Sequence, residues 1–310
     1  MTKWGLSATI KAATGDILAF AAYHLDQGAH RLYIYLDEIN PEAYAHLKAH
    51  PKIRVATCDD TYWRKFSGKR PGKHQVRQTL NATHAYGRRI EVDWLIHMDV
   101  DEYLWPQTTI ADSLDVLDAG VMCARTRPME SLSGDGTHFK GFIPGDANRE
   151  AIVARLYPQF GTYLKGGFLS HLAGKLFVRT GIDDLSVRIH NVFQGEKTNP
   201  GEAELPSVDL CHAHAKTWDD WIAAYRFRHE KGSYRAELAT NRPVETGGVS
   251  MHDLFHMIEA DSGETGLREF FDEVSADTPE LRARLTAEGL LRVCDLKLNQ
   301  KTQKHFPDSG

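Results

Sequence analysis

Cysteine is scarce in this chain. Four are spread through 310 residues (Cys58, Cys123, Cys211, Cys294), with no Cys-x-x-Cys pair. That excludes a disulfide scaffold, a zinc knuckle and a thioredoxin-type motif, and leaves reduced, buried thiols as the reading. Long apolar runs are missing too: no window approaches the ~18 consecutive apolar residues of a membrane-spanning helix. The opening Met1-Thr2-Lys3-Trp4-Gly5-Leu6 lacks the layout of a secretory signal, so a cytoplasmic protein is expected. No Gly-x-Gly-x-x-Gly follows the first strand, which argues against dinucleotide binding. The stretch Gly68-Lys69-Arg70-Pro71-Gly72-Lys73 lacks the Walker spacing and reads as a solvated loop or lid, with Lys69, Arg70 and Lys73 able to steer an anionic substrate or meet a membrane surface. Charge of one sign is not in excess: 37 basic residues face 42 acidic ones, a formal net charge of −5. No nucleic-acid partner is expected from that balance. What remains, with 42% apolar and 25% charged residues, is the composition of a globular protein of one large domain or two.

The first hundred residues alternate strand and helix. Strands are expected over Leu6–Ile10, Arg31–Leu36, Ile53–Cys58 and Asp93–Met98, with helices over Ile17–Leu25, Pro41–Ala49 and Gln75–Tyr86. Thr14-Gly15-Asp16 supplies turn and cap chemistry before the first helix and Gly28 closes it. This rhythm predicts an α/β fold with a mostly parallel central sheet and flanking helices. Strand-like pieces at Val121–Thr126, Lys175–Arg179 and Ser186–Val192, separated by Gly-rich loops, suggest a mixed sheet region that holds a ligand. Beyond Trp218 the pattern is helical, with Trp218, Trp221, Ile222 and Tyr225 on one face. The expected division is 1–217 for the catalytic domain, 218–300 for a helical C-terminal region packed on it, and 301–310 for a flexible tail.

The strongest chemical signal is Trp94-Leu95-Ile96-His97-Met98-Asp99-Val100-Asp101-Glu102-Tyr103-Leu104. An apolar strand ends in Asp99-x-Asp101, and carboxylates two apart at a strand end point the same way. Ligands of open α/β sheets bind beyond the carboxyl ends of the strands. Two such carboxylates suit a hard Mn²⁺ or Mg²⁺ ion that also grips phosphate oxygens; the bland alternative is a solvated acidic turn. A second signal is Cys211-His212-Ala213-His214-Ala215-Lys216-Thr217. His212, with His214 as fallback, can complete a metal shell, and Lys216 can reach a diphosphate. Solvated histidines in a loop before a helix would look the same. Lys175 could reach phosphate, although a surface lysine is the plainer reading. A hydrogen-bonded structural role is open to His190.

Along the chain come Lys11 before Asp16-Ile17-Leu18, Tyr23-His24-x-x-x-Gly28, a strand ending in Asp37, the Asp93–Tyr103 block, Arg188-Ile189-His190-Asn191, and His212-Ala213-His214-Ala215-Lys216-Thr217. Over roughly residues 5–230 this succession resembles the glycosyltransferase family 2-like proteins of the GT-A fold, in the branch close to glycosyltransferase family 92. Those proteins carry E-W-x-x-Y-H-x-x-x-G, then D-W-x-x-x-x-D-x-D-E-F, then H-N, then H-Y-x-x-K-S. Here Ala19-Phe20 stands where an acidic–aromatic pair is usual, Tyr103 replaces Phe, and Ala213 and Thr217 replace Tyr and Ser.

The resemblance implies transfer of a sugar from a nucleotide-diphosphate donor, such as a UDP-sugar, to a carbohydrate or lipid-linked hydroxyl, with inversion. It implies that Asp99 and Asp101 hold metal and donor, that His212 is the third ligand, and that Lys216 touches the diphosphate. Lys11, Ala12 and Asp37 would line the nucleotide pocket; Gln75, Arg77 or Gln78 could face it or simply form an exposed helix surface, and His190, in the family's H-N block, could lie near the donor sugar. An acceptor base is sought among Glu130, Asp135 and Glu196, with Glu130 slightly ahead for its place at a strand end, although each also reads as a solvated loop carboxylate. The competing readings are a nucleotidyltransferase, for which no early Gly-rich phosphate loop is visible, and a non-catalytic sugar-nucleotide-binding protein. A glycoside hydrolase would want its two carboxylates on opposite faces of a sugar rather than two residues apart.

Overall fold

A computed structural model describes residues 1–88, 91–213, 216–231 and 249–308. The first half runs β1 (Trp4–Ile10), α1 (Thr14–Asp26), β2 (Arg31–Leu36), α2 (Pro41–Ala49), β3 (Ile53–Thr57), α3 (Asp60–Ser67), α4 (His74–Gly87), β4 (Trp94–His97), β5 (Glu102–Pro106) and α5 (Ile110–Asp115). Then come β6 (Cys123–Thr126), β7 (Pro128–Ser131), β8 (His138–Lys140), α6 (Arg149–Leu156), β9 (Lys175–Arg179), β10 (Leu185–Val187), β11 (Val192–Gln194), β12 (Lys197–Thr198), β13 (Glu202–Glu204) and β14 (Val208–His212). The last elements are α7 (Trp218–Lys231), α8 (Met251–Val274), α9 (Pro279–Ala287), β15 (Leu291–Val293) and α10 (Leu298–His305). They fall into two units. Unit 1 comprises Met1–Pro128, Ala173–Cys211 and Leu296–Gly310; unit 2 comprises Met129–Leu172 and His212–Asp295.

Unit 1 is built on a seven-stranded sheet of order β13-β6-β9-β4-β1-β2-β3. β1 pairs in parallel with β2 and β4, and β2 with β3, while β9 runs antiparallel between β4 and β6. β1 and β2 are buried along their whole length, as central strands of an α/β sheet should be. One face of the sheet carries Tyr33, Tyr35, Leu95 and Val178, which pack with Trp63 of α3 and Ala82 and Ala85 of α4. On α1, His24 is fully buried, its Nδ1 2.9 Å from the Phe20 carbonyl oxygen. Burial, with Lys301 adding to it against the Phe20 hydrogen bond, pushes its pKa down to about 3.

Three expectations change. The first helix begins at Thr14 with Ala13 as its N-cap, because the Thr14 hydroxyl is turned to Asn40 and Glu42 rather than to its own helix. The strand expected over 186–192 is two strands, β10 and β11, paired antiparallel around Arg188–Asn191, where the Arg188 amide donates to the Asn191 carbonyl at 2.9 Å. Residues 301–305 are helix rather than tail. α10 holds Lys304 2.6 Å and Lys301 3.4 Å from Asp26, and Lys301 also lies over the Tyr23 ring.

In unit 2, β8 pairs antiparallel with β7 and β15. Its core gathers Trp221 and Tyr225 of α7, Phe255, Phe270 and Phe271 of α8, and Leu281 and Leu285 of α9. The Trp221 and Tyr225 rings stack 5.6 Å apart, as their i, i+4 spacing on one helix face allows. This unit takes in most of the expected helical region 218–300 and also residues 129–172. All four cysteines are buried and none is in a disulfide bond. Among the described residues, no helix is long and apolar enough to cross a membrane.

Candidate functional site

The parallel strands run in the order β3-β2-β1-β4, so the winding reverses at β1. Chain leaving the carboxyl ends of β1 and β4 therefore lines the crevice where ligands of open α/β sheets bind. Lys11-Ala12-Ala13 follows β1, Asp37-Glu38 follows β2, and Met98-Asp99-Val100-Asp101 follows β4. Side chains from α4 and β9 reach the same strand ends.

Asp37 is only 1% exposed. Arg77 donates to it from Nε and Nη2, Arg70 approaches Oδ1 at 3.0 Å, and His74 Nδ1 lies 3.2 Å from Oδ2. Burial opposes the charged carboxylate, but the His74 and Arg77 hydrogen bonds and the two guanidinium charges prevail and hold Asp37 below the usual carboxylate value. Arg70, though about a third of its side chain is in solvent (34%), is therefore anchored. It also caps the carbonyls of Cys58 and Asp37, tying the 68–73 loop to the strand ends. Lys69 and Lys73 stay exposed. Lys11 pairs with Glu38 at 3.0 Å, both largely in solvent.

Asp99 is held from three sides. Gln78 donates to Oδ1, Lys175 Nζ lies 2.6 Å from Oδ2, and the Asp99 amide donates to Glu102 Oε2 at 2.8 Å. Lys175 is wholly buried and also lies 3.2 Å from Glu102. Burial alone would discharge the amine; the Asp99 and Glu102 carboxylates outweigh it and raise its pKa. The surface-lysine expectation is thus overturned. Gly174, at φ +65°, is the reason β9 can begin here, since a Cβ on it would collide with the Thr126 carbonyl. His97 is 3% exposed with neither ring nitrogen hydrogen-bonded, and burial, with Lys175 nearby, pushes its pKa down to about 3. Asp101 is half-buried in the turn after β4. Of the three α4 residues weighed, Arg77 and Gln78 reach the strand ends and Gln75 is exposed.

The remaining candidates lie in both units. Glu130 was expected at an open strand end; the structure buries it to 2%, with Lys140 Nζ 2.5 Å away and the amides of Leu169 and Ser170 donating to it. It is the anion of an interior ion pair, closed to solvent. Burial works against the Lys140 charge, and Glu130 raises its pKa nonetheless. Asp135 is exposed and accepts from the hydroxyl and amide of Thr137, which lower its pKa. Glu196 sits exposed in the turn between β11 and β12. His190 Nδ1 bonds the Gly174 carbonyl oxygen at 2.9 Å, the structural role. His212 ends β14, half-buried, and Lys216 is exposed; both belong to unit 2, whereas Asp99 and Asp101 belong to unit 1. His214 lies outside the described residues.

One cluster was not foreseen. In unit 2, ligand atoms of Asp135, His138 and Asp277 lie within 4.8 Å of one another, a set able to take a cation. His138 Nδ1 is 3.1 Å from Asp277, and Arg282 lies 3.1 Å from the other Asp277 oxygen. Those contacts already meet much of the Asp277 charge. Asp277 lies 142 residues beyond Asp135 in the numbering, so no local spacing could have announced the cluster.

No curated protein matches the sequence. Among solved structures, HddC from Yersinia pseudotuberculosis is similar at 11% identity and TM-score 0.36, over 73% of this chain and 99% of that one. The galactosyltransferase LgtC, in complex with donor and acceptor sugar analogues, is similar at 13% identity and TM-score 0.27, over 56% of this chain and 57% of its own. The glycosyltransferase GlyE of Streptococcus pneumoniae gives 14% and 0.29, over 58% and 34%. These likenesses are too remote to speak for activity. The family comparison is more specific: residues 11–120, which begin just after β1 and hold the β2 and β4 ends with Asp37, Asp99 and Asp101, match the model of glycosyltransferase family 92.

Proposed function

We propose that the chain is a glycosyltransferase of GT-A type that takes a nucleotide-diphosphate sugar, such as a UDP-sugar, and passes the sugar to a hydroxyl of a carbohydrate acceptor. The observation that carries this reading is the Asp99-Val100-Asp101 turn at the β1/β4 reversal, inside the segment matched by the family model. In the reaction, an acceptor oxygen bonds to the anomeric carbon as the bond from that carbon to the diphosphate breaks. Charge then grows on the leaving diphosphate and must be met by fixed positive groups.

The donor set fits a hard divalent ion: two carboxylates at one strand end, Asp99 about a third exposed and Asp101 half-buried. Asp99 and Asp101 would hold it, and when bound it supplies Lewis-acid charge to the diphosphate. The chain's own residues do the positioning. Gln78 and Lys175 fix the Asp99 carboxylate, and Arg70 and Arg77 fix Asp37 at the neighbouring strand end.

The test is a thermal-shift screen of UDP, GDP and ADP with and without Mn²⁺. Saturating binding at a hundredfold excess over Kd adds about 2.7 kcal/mol of stability. A Mn²⁺-dependent shift with at least one nucleotide, absent in Asp101→Ala, is expected. A shift that Asp101→Ala leaves intact, or no shift at all, would overturn the reading.

A further inference from the structure

The Asp99 carboxylate comes with a cation already in place. Lys175 has no exposed surface, and its ammonium sits 2.6 Å from Asp99 and 3.2 Å from Glu102. Glu102 is buried as well and accepts the Asp99 amide, so the two acids and the lysine form one ion-pair cluster. Gln78 takes the other Asp99 oxygen. Formal charges of Asp99, Glu102 and Lys175 sum to −1, and Asp101 brings the turn to −2. Without Lys175 the same turn would carry −3. A buried ammonium moves little, since Gly174 and the β9 pairings with β4 and β6 fix the backbone that carries it.

We infer that Lys175 is a positioning residue for Asp99 and a resident counter-cation, which weakens capture of a divalent ion by the bare turn and makes that capture depend on the phosphates of an incoming nucleoside diphosphate. The inference rests on the proposed donor reading. A free divalent ion meets a turn whose charge is partly cancelled a few ångströms away, where Coulomb repulsion is strong because the ammonium is shielded from water. A nucleoside diphosphate restores the missing negative charge, so ion and nucleotide bind better together than apart.

The experiment measures the affinity for Mn²⁺ alone and for Mn²⁺ in the presence of UDP, by calorimetry and by the spin resonance of free Mn²⁺. Lys175→Met is expected to bind Mn²⁺ alone about tenfold or more tighter, as removal of one unit charge at this range implies. UDP should then add less to its Mn²⁺ affinity than it adds to the wild type's. Lys175→Arg should keep the wild-type pattern. Should Lys175→Met fail to fold, Glu102→Gln serves with the opposite sign: one acid fewer around the same lysine weakens Mn²⁺ alone. A folded Lys175→Met with unchanged Mn²⁺ affinity and unchanged UDP dependence would reduce Lys175 to a structural ion pair and overturn the inference, as would a Glu102→Gln protein that binds Mn²⁺ as the wild type does. Wild-type protein that binds Mn²⁺ but no nucleoside diphosphate would instead sink the donor reading.

Discussion

Arg77 meets the Asp37 carboxylate with a three-point fork: Nε lies 2.9 and 3.0 Å from the two oxygens, and Nη2 lies 2.7 Å from Oδ2. The contact joins the first turns of α4 to the end of β2, forty residues earlier in the chain. Because Asp37 is buried, removing Arg77 leaves its charge out of reach of water with only Arg70 and His74 beside it. Arg77→Ala should cost about 3–5 kcal/mol in urea unfolding, the range for breaking a buried pair. Arg77→Lys should recover only part of it, since an ammonium cannot reproduce the planar fork. A loss below about 1 kcal/mol, as for an exposed pair, would show that Arg70 and His74 suffice.

Acid should destabilise the fold through two histidines. His24 and His97 have folded pKa values of about 3 against 6.5 for the free side chain. The unfolded chain therefore takes up these protons first. Their contribution is intact above pH 6.5 and is lost as pH falls below it, at about 1.4 kcal/mol per pH unit for each histidine. His24→Phe, which keeps a ring against Phe20 and Tyr103, should remove about half of that slope. Unfolding free energies at pH 7, 6 and 5 read it; equal slopes in the two proteins would refute the assignment.

The Glu130–Lys140 pair should behave as an interior pair and not as a catalytic base. Glu130→Gln leaves the Lys140 ammonium buried against the Tyr157 and Phe168 rings, at a cost of about 3–5 kcal/mol. The double variant Glu130→Leu/Lys140→Met removes both charges and should be more stable than the single one. Additive losses in the cycle would mean that the two side chains do not act as a pair.

The hydrophobic rhythm made the β1-to-β4 half legible because each strand there is an apolar run and each helix has its own cap or breaker; β2 and α2 fall on the expected residues. Asp99-x-Asp101 was readable for the same reason, as two acids closing such a run. Its partners were not. Lys175 stands next to Leu176-Phe177-Val178, and nothing in one strand tells a solvated lysine from a buried one; only the pairing of β9 with β4 decides. Helix α3, capped by Asp59 and with Trp63 and Phe66 on one face, is too short at eight residues for its periodicity to stand out in the sequence. Glu130 was misplaced for want of knowing that Lys140, on the paired strand β8, lies opposite it.

Deleting the chain from Leu296 onward should lower the melting temperature of unit 1. The cut removes Lys301 and Lys304, which meet Asp26, and Phe306, whose ring lies 5.8 Å from that of His50. Intact thermal stability in the truncated protein would show that α10 is an ornament of the surface.

The placement of α10 also sets an order on biogenesis. Unit 1 needs residues near both ends of the sequence, since α10 lies against α1. On the ribosome, the sheet from β1 to β4 is translated early but must wait for some two hundred further residues before its last helix emerges. Until then Lys301 and Lys304 cannot meet Asp26, nor Lys301 the Tyr23 ring. The last packing of unit 1 is therefore a late event, made only once α10 has been synthesised.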